Sequence, residues 1–416
     1  MKVAILGFGD RGQLYANLFK SFGATIVAVC DKDNNKLALA KESCKIEDID
    51  CYADDNAFFD KGKLADLLVI STLDQHHYKH AIKAIDLGYD ILLEKPITTT
   101  IKKCCEIEKR ATKKGVKVFL CYVLRYAPFF IKIKELLDSK ILGNLTTVNL
   151  SECVGYWHQA HSFVRGNWRN SAESTPMIVA KCCHDLDMLY WLCDSQPVSI
   201  SSMGNLNFFK KENAPADSAD FCCDCKIASE CPYENLKFYA NPGKTWWISK
   251  TGYYQGENGD VNALKELFKD KSIPYSRCVF KCDNDVVDHQ VTNILFDGGV
   301  TAHLTMTAFS KDCFRKIHLH CTYGEIFGDL EEGVLHVNIF GKESKKIDVS
   351  LDESLAGHGG GDPLMIKNIV EVYENGLNLD KNGIKGAMIS HYLAFLAEKS
   401  RLNNGKTLKL KKYLKQ

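Results

Sequence analysis

The stretch KVAILGFGDRG, residues 2–12, decides the fold. Lys2 to Leu6 form a short apolar run, and Gly7, Gly9 and Gly12 follow with G-x-G-x-x-G spacing as the helical period of RGQLYANLFKSF begins. A strand that turns at once into a helix needs glycine to make the turn, to let backbone approach a ligand, and to pack helix on strand. Free N–H groups at such a helix start hold phosphate, so Gly7, Gly9, Asp10, Arg11 and Gly12 are a candidate pyrophosphate cradle. Asp31 closes the next apolar run, TIVAVCD. That is about twenty residues on, where a carboxylate binds the adenine-ribose hydroxyls of a dinucleotide. Asp31 would repel a 2′-phosphate, so NAD is favoured over NADP, although Lys32 beside it weakens the preference.

The βα rhythm continues outward. DLLVIST, YDILLEKP and VKVFLCYVL are further buried runs, and HYKHAIKAIDLG is an amphipathic helix stopping at Gly88. Apolar strands alternating with helices predict an α/β fold with a parallel sheet covered on both faces, a Rossmann domain over residues 1–125. Residues 126–416 change character. VVDHQVTNILFDGGVTAHLTMTAF alternates with period two around Asp297-Gly298-Gly299, and RKIHLHCTYGEIFGDL does so around Tyr323-Gly324. These hairpins predict a C-terminal α+β domain with an open, mostly antiparallel sheet. A Cys-rich, aromatic segment at about 207–283 is too long for a plain loop and reads as a small subdomain or lid. Two helices from Asp362 close the chain.

The formal net charge of +1 gives no long-range attraction to nucleic acid or an anionic membrane. No apolar run reaches the roughly 20 residues of a membrane span. The chain opens directly on a strand, leaving no room for a signal peptide, and eighteen cysteines in so long a chain read as reduced thiols. A cytoplasmic protein is expected.

In ILLEKPI, residues 91–97, a buried strand ends in Glu94, Lys95 and Pro96. Ligands bind outside the carboxyl ends of parallel strands, which places Lys95 near the nicotinamide end of a dinucleotide. The alternative, a Glu94–Lys95 salt bridge, is opposed by the opposite facing of adjacent strand residues. The fingerprint, STLDQHHYKHA, EKP and the later HDLD together resemble the Gfo/Idh/MocA family of NAD(P)-dependent sugar and cyclitol oxidoreductases, over nearly the whole chain apart from the insertion. The resemblance implies that Lys95 contacts cofactor and substrate, that Thr72 and His77 line the cofactor cleft, and that Glu94 and Pro96 shape the strand end. It also implies a small-molecule carbohydrate substrate and a homodimer or homotetramer.

IVAKCCHDLDMLYWL reads as a largely buried helix, with His184 on a face shared by Lys181 and Asp187. The resemblance makes His184 the general acid/base, against the plainer reading of a structural histidine bonded to Asp187. Many family members carry an aspartate four residues before that histidine, where this chain has Ala180, then Lys181. A carboxylate would raise the histidine pKa and a lysine would lower it. Either Asp185 or Asp187 substitutes, or Lys181 takes part directly. In RGNWRN, Arg165, Asn167, Trp168 and Arg169 offer donors and a flat apolar face for substrate, as do Arg125 and Tyr126; the alternative is interdomain contact. His158 and His161 lie close by in sequence.

CCDCKIASECPY gives Cys222, Cys225 and Cys231 a C-x₂-C-x₅-C spacing that suits structural zinc, with Cys278, Cys282 or Cys223 needed as a fourth ligand. The alternative is ordinary buried thiols. Zinc there would staple the insertion and take no part in hydride chemistry. GHGGGD, residues 357–362, reads as a Gly-rich loop capped by Asp362, with His358 a candidate pocket contact.

The expected function is NAD-dependent hydride transfer at a hydroxyl carbon of a sugar, cyclitol or glycoside. One alternative is a redox-neutral glycosidase, lyase or epimerase working through a transient keto-sugar, since some family members are NAD-dependent glycosidases. Another is a non-catalytic regulator sensing NAD or sugar.

Overall fold

Six parallel strands form the N-terminal sheet in the order β3-β2-β1-β4-β5-β6. They are β1 (Lys2–Leu6), β2 (Thr25–Cys30), β3 (Cys51–Tyr52), β4 (Leu67–Ile70), β5 (Asp90–Leu93) and β6 (Val118–Leu120). The computed structural model of the chain describes residues 1–47, 50–350, 358–376 and 383–412. Strand side chains alternate between two cores. Leu6, Leu68, Ile91 and Leu93 enter one, while Val3, Ile5, Val69 and Leu92 enter the other. Burial on both faces is why these strands read as continuous apolar runs.

The strand order reverses between β1 and β4, and the carboxyl ends there form the crevice in which such sheets bind ligands. The two closing helices return to this sheet. Met365, Ile366 and Ile369 of helix Gly361–Asn375 enter one core, and Ala387 and Met388 of helix Ile384–Arg401 enter the other.

The second sheet has nine strands, β14-β13-β12-β11-β7-β10-β9-β8-β15. These are β7 (Leu145–Cys153), β8 (Pro197–Asn205), β9 (His289–Phe296), β10 (Thr301–Thr307), β11 (Phe314–Cys321), β12 (Gly324–Asp329), β13 (Val334–Ile339), β14 (Lys345–Asp348) and β15 (Leu408–Lys409). All pairs are antiparallel except β10 with β7. Both expected hairpins form, and Gly298 and Gly299 take the positive φ values that the β9–β10 turn demands. One face packs Val148, Leu150, Leu304 and Leu319 against helices Pro128–Asp138, Cys183–Cys193 and Ile384–Arg401. The other face is open and carries Thr301, His303, His318 and the exposed Val291 and Leu295. Among the described residues, no helix is long and apolar enough to cross a membrane.

The insertion folds as short helices, Asn235–Tyr239, Trp246–Ser249 and Val261–Lys269, around its own core of Tyr239, Ile248, Leu264 and Phe268. A second cluster, Phe209, Val279 and Phe280 on Ala160 and Val164, joins it to the rest of the chain.

The segment expected as one helix around His184 is broken. Met177–Ala180 is one short helix and Cys183–Cys193 another, with Lys181 and Cys182 between them. In an unbroken helix the Ala180 carbonyl would accept from the His184 N–H. Here it accepts from Lys95 Nζ at 3.0 Å.

Candidate active site

The glycine turn sits at the carboxyl end of β1. Gly7 has φ +95°, and a Cβ there would stand 2.7 Å from Ser71 O. A Cβ on Gly12 would stand 2.1 Å from Gly7 O, so this glycine is needed for packing. A Cβ on Gly9 meets nothing within 4 Å, so the protein itself does not demand glycine there. Helix Asp10–Ser21 begins at Gly9 with no side-chain cap, leaving its first N–H groups for an anion. Asp31 accepts from Phe8 N–H at 2.7 Å and from Asp33 N–H at 3.0 Å, which fixes the loop beside β2. The open space at Gly9, the uncapped helix start and the placed carboxylate fit a dinucleotide.

The β4 and β5 ends complete the crevice. Both ring nitrogens of buried His77 lie against backbone oxygens, Pro96 O at 2.8 Å and Thr72 O at 2.9 Å, so His77 ties the two strand ends together. Thr72 Oγ1 lies 3.1 Å from His80 Nδ1. Glu94 turns inward and accepts from Arg11 Nε at 2.7 Å, Tyr15 OH at 2.6 Å and Lys95 N–H at 2.9 Å. Burial pushes Glu94 up, but Arg11 and then Lys95 hold it below the usual carboxylate range. Arg11 also pairs with Asp362, whose other oxygen lies 2.9 Å from His358 Nδ1. Arg11 and Asp362 therefore brace the strand end, and Asp362 is no helix cap. The GHGGGD loop does reach the site, although Gly357 lies outside the described residues.

Lys95 leaves its strand on the opposite side from Glu94 and reaches Ala180 O. His184 lies beyond, its ring centroid 5.7 Å from that of His358 and 5.8 Å from that of Tyr122. Its Nδ1 is buried without a hydrogen-bond partner. Burial, then the charges of Lys95, His358, Arg315 and Lys181, hold His184 well below the ordinary histidine range.

Neither aspartate stands beside it as a proton relay. Buried Asp187 takes a bidentate pair of bonds from Arg125, both 2.7 Å. Asp185 accepts from Arg315 Nε at 2.8 Å, and burial pushes its carboxyl up to about 6. Lys181 pairs at 3.1 Å with Glu152, which Arg315 also meets at 2.8 Å. Of the expected substitutes, then, the structure brings Lys181 to the site and commits the two aspartates to arginines.

Glu152 and Arg315 were not foreseen. The signal was present, since Val148, Leu150 and Glu152 share one face of β7. A carboxylate continuing an apolar face must be paired.

The RGNWRN residues divide. Trp168 Nε1 lies 3.2 Å from both Asp74 oxygens, and Asn167 is exposed. Arg165 donates to Arg277 O and Tyr233 O, both 2.8 Å, and Arg169 grips Asp283. Both arginines are thus committed to the insertion, a structural use that competes with the expected substrate contact. Arg125 is similarly committed to Asp187, and Tyr126 OH donates to Asn368 at 3.2 Å.

The insertion supplies what the sequence did not place. The Trp247 ring lies 4.8 Å from His158 and 5.1 Å from His161, with its Nε1 buried and unpartnered. His158 is held low by burial and then by Lys181, so it belongs to the same cationic neighbourhood as His184. His161 faces the other way, with Nδ1 2.6 Å from Tyr239 OH. Lys250 pairs with Asp10 at the start of the fingerprint helix, and Gly252 approaches Asp33. Residues 246–252 therefore bridge from the histidines to the dinucleotide crevice as a lid.

Residues 1–122 match the model described as an oxidoreductase family with an NAD-binding Rossmann fold, and residues 130–226 match the GFO/IDH/MocA C-terminal domain. The chain belongs to the Gfo/Idh/MocA oxidoreductase family. It is 25% identical over 364 residues to the Bacillus subtilis (strain 168) protein named as oxidoreductase YteT, covering 83% of this chain and 81% of that one. An inositol 2-dehydrogenase/D-chiro-inositol 3-dehydrogenase of Lacticaseibacillus casei is 26% identical over 203 residues, 48% of this chain and 55% of the relative. This chain thus spans about half the length of that cyclitol enzyme. Among solved structures, levoglucosan dehydrogenase in complex with NADH and levoglucosan superposes with TM-score 0.72 at 13% identity, over 98% of this chain and 99% of that one. At that identity the likeness concerns the Gfo/Idh/MocA fold.

Proposed function

We propose that this chain is an NAD-dependent dehydrogenase acting at a hydroxyl carbon of a sugar, cyclitol or glycoside. The observation that carries this reading is the approach of Lys95, at the carboxyl end of β5, to Ala180 O, close enough that its charge acts on His184. A neutral imidazole at His184 would accept a proton from a substrate hydroxyl. The Lys95 ammonium, which donates to Ala180 O in this structure, would donate to the same oxygen as negative charge develops. NAD held by the Gly7–Gly12 loop and Asp31 would supply the hydride acceptor or donor. Lys181, Glu152 and Arg315 hold the surrounding charges in place.

Asp31 at the ribose position supports NAD over NADP. The names of the inositol and levoglucosan relatives support a polyhydroxylated substrate. Eighteen cysteines with no disulfide among them support a reducing, cytoplasmic setting, and the open face of the second sheet is a surface for homodimer or homotetramer formation. Incubation with NAD and a panel of cyclitols, pyranoses and glycosides, followed by NADH absorbance, tests the reading.

One observation favours the redox-neutral alternative. The Lys250–Asp10 pair places the lid across the fingerprint, an arrangement suited to retaining the dinucleotide between turnovers. Mass analysis of products formed without net NADH distinguishes the two.

A further inference from the structure

The insertion holds four thiols around one small cavity. Cys222, Cys225, Cys231 and Cys278 line it together with Arg165 and Tyr233. The first three come from consecutive tight turns: Cys225 N–H donates to Cys222 O, Ala228 N–H to Cys225 O, and Cys231 N–H to Ile227 O. The fourth arrives from a distant segment. A bridge pairing Phe221 with Arg277, and a 2.8 Å bond from Cys278 N–H to Asp220 O, set Cys278 beside Cys222. Cys223 and Cys282, the other possible fourth ligands, are not in the cavity wall.

Arg165 supplies a second, independent observation. It is only 3% exposed, and among the described residues no carboxylate pairs with it. Its donors go to two carbonyls and to Cys222 Sγ at 3.6 Å. A buried guanidinium without an anion is costly. Four thiolates around a divalent ion carry a formal charge of about −2, which supplies that anion at the place where Arg165 points. Ser218 Oγ, in the same wall, is likewise buried without a partner.

We propose that Cys222, Cys225, Cys231 and Cys278 bind one zinc ion as a structural tetrathiolate centre that staples the insertion. The cavity of about 20 Å³ is the size of a single ion or water. Among the described residues no three of these sulfurs lie within 4.8 Å of one another. Zinc–sulfur bonds of ~2.3 Å would bring them closer, so binding contracts the site. Each thiol gives up its proton to the solvent as its S–Zn bond forms, and no redox change occurs. The ion would fix the segment leading to helix Asn235–Tyr239 and so to the lid at Trp247.

The test is metal analysis of the full-length protein purified with zinc present and without chelator. About one zinc per chain is expected, falling to near zero in Cys278→Ser and staying unchanged in Cys282→Ser. Cobalt titration of the stripped wild-type protein, which depends on no variant folding, should give the intense near-ultraviolet thiolate-to-cobalt absorbance of four sulfur ligands. A wild-type protein that takes up neither zinc nor cobalt overturns the proposal. So does full zinc retention in Cys278→Ser, or iron with labile sulfide in place of zinc.

Discussion

Lys95 Nζ donates to the carbonyl oxygen of Ala180 over 3.0 Å, and His184, four residues later, lies in the first turn of the next helix. The lysine takes a carbonyl that an unbroken helix would pair with the His184 N–H, so the bond and the break in the helix coincide. Lys95→Met should lower kcat by about 10²–10⁴-fold, with circular dichroism and NAD binding little changed. Loss of NAD binding of the same size would instead make Lys95 a cofactor anchor only.

His184 must be neutral to accept a proton, and its surroundings favour that form. The acid limb of the kcat/KM profile should therefore lie below about pH 6.5, the ordinary histidine value. Removing a neighbouring positive charge stabilises imidazolium, so Lys181→Met should move that limb upward. A limb that stays in place would separate Lys181 from the titration. His184→Asn should remove activity at every pH.

The second and third glycines of the loop, Gly9 and Gly12, should respond differently. At Gly12 an added Cβ meets the Gly7 carbonyl at 2.1 Å, so Gly12→Ala should destabilise the protein by about 1–3 kcal/mol. At Gly9 the backbone (φ −73°) accepts any residue and the space is open. Gly9→Ala should leave thermal stability unchanged while weakening NAD binding about tenfold, or ~1.4 kcal/mol. Equal effects on stability would contradict the cradle.

Lys250 and Asp10 are each about half exposed, so their pair is worth at most about 1 kcal/mol. Lys250→Ala should hasten NAD release up to about fivefold with no change in Tm. Stopped-flow displacement of bound NADH reads this directly.

Asp187 is fully buried and bonded twice to Arg125. Arg125→Ala leaves that carboxylate unpaired and should cost about 3–5 kcal/mol by denaturant unfolding, while Arg125→Met with Asp187→Leu should regain most of it. Asp187→Asn should lower stability without moving the pH profile, the opposite of what a proton relay would do.

Local pattern carried much of this architecture. Strands β1, β2, β4 and β5 announce themselves as apolar runs because both faces are buried, and the β9–β10 turn is marked by glycines that its geometry requires. The two-residue strands β3 and β15 are too short to show a period. The positions of Lys95 beyond a strand end and of His184 near a helix start were legible locally, while their roles came from the family resemblance. The partners of Asp185 and Asp187 were not, because Arg315 and Arg125 come from segments far away in sequence. The lid was visible only as composition. Nothing in TWWISKTG shows that Trp247 would meet His158 or that Lys250 would meet Asp10.

The most direct measurement is turnover of a cyclitol, pyranose and glycoside panel with NAD, read both by NADH absorbance and by product mass, in wild type, Lys95→Met and His184→Asn. The proposed site predicts that wild type converts at least one compound and that both variants lose that conversion while still binding NAD. Binding of NAD with every compound left unchanged, or wild-type turnover in either variant, would contradict it and leave a dinucleotide sensor or a different catalytic pair.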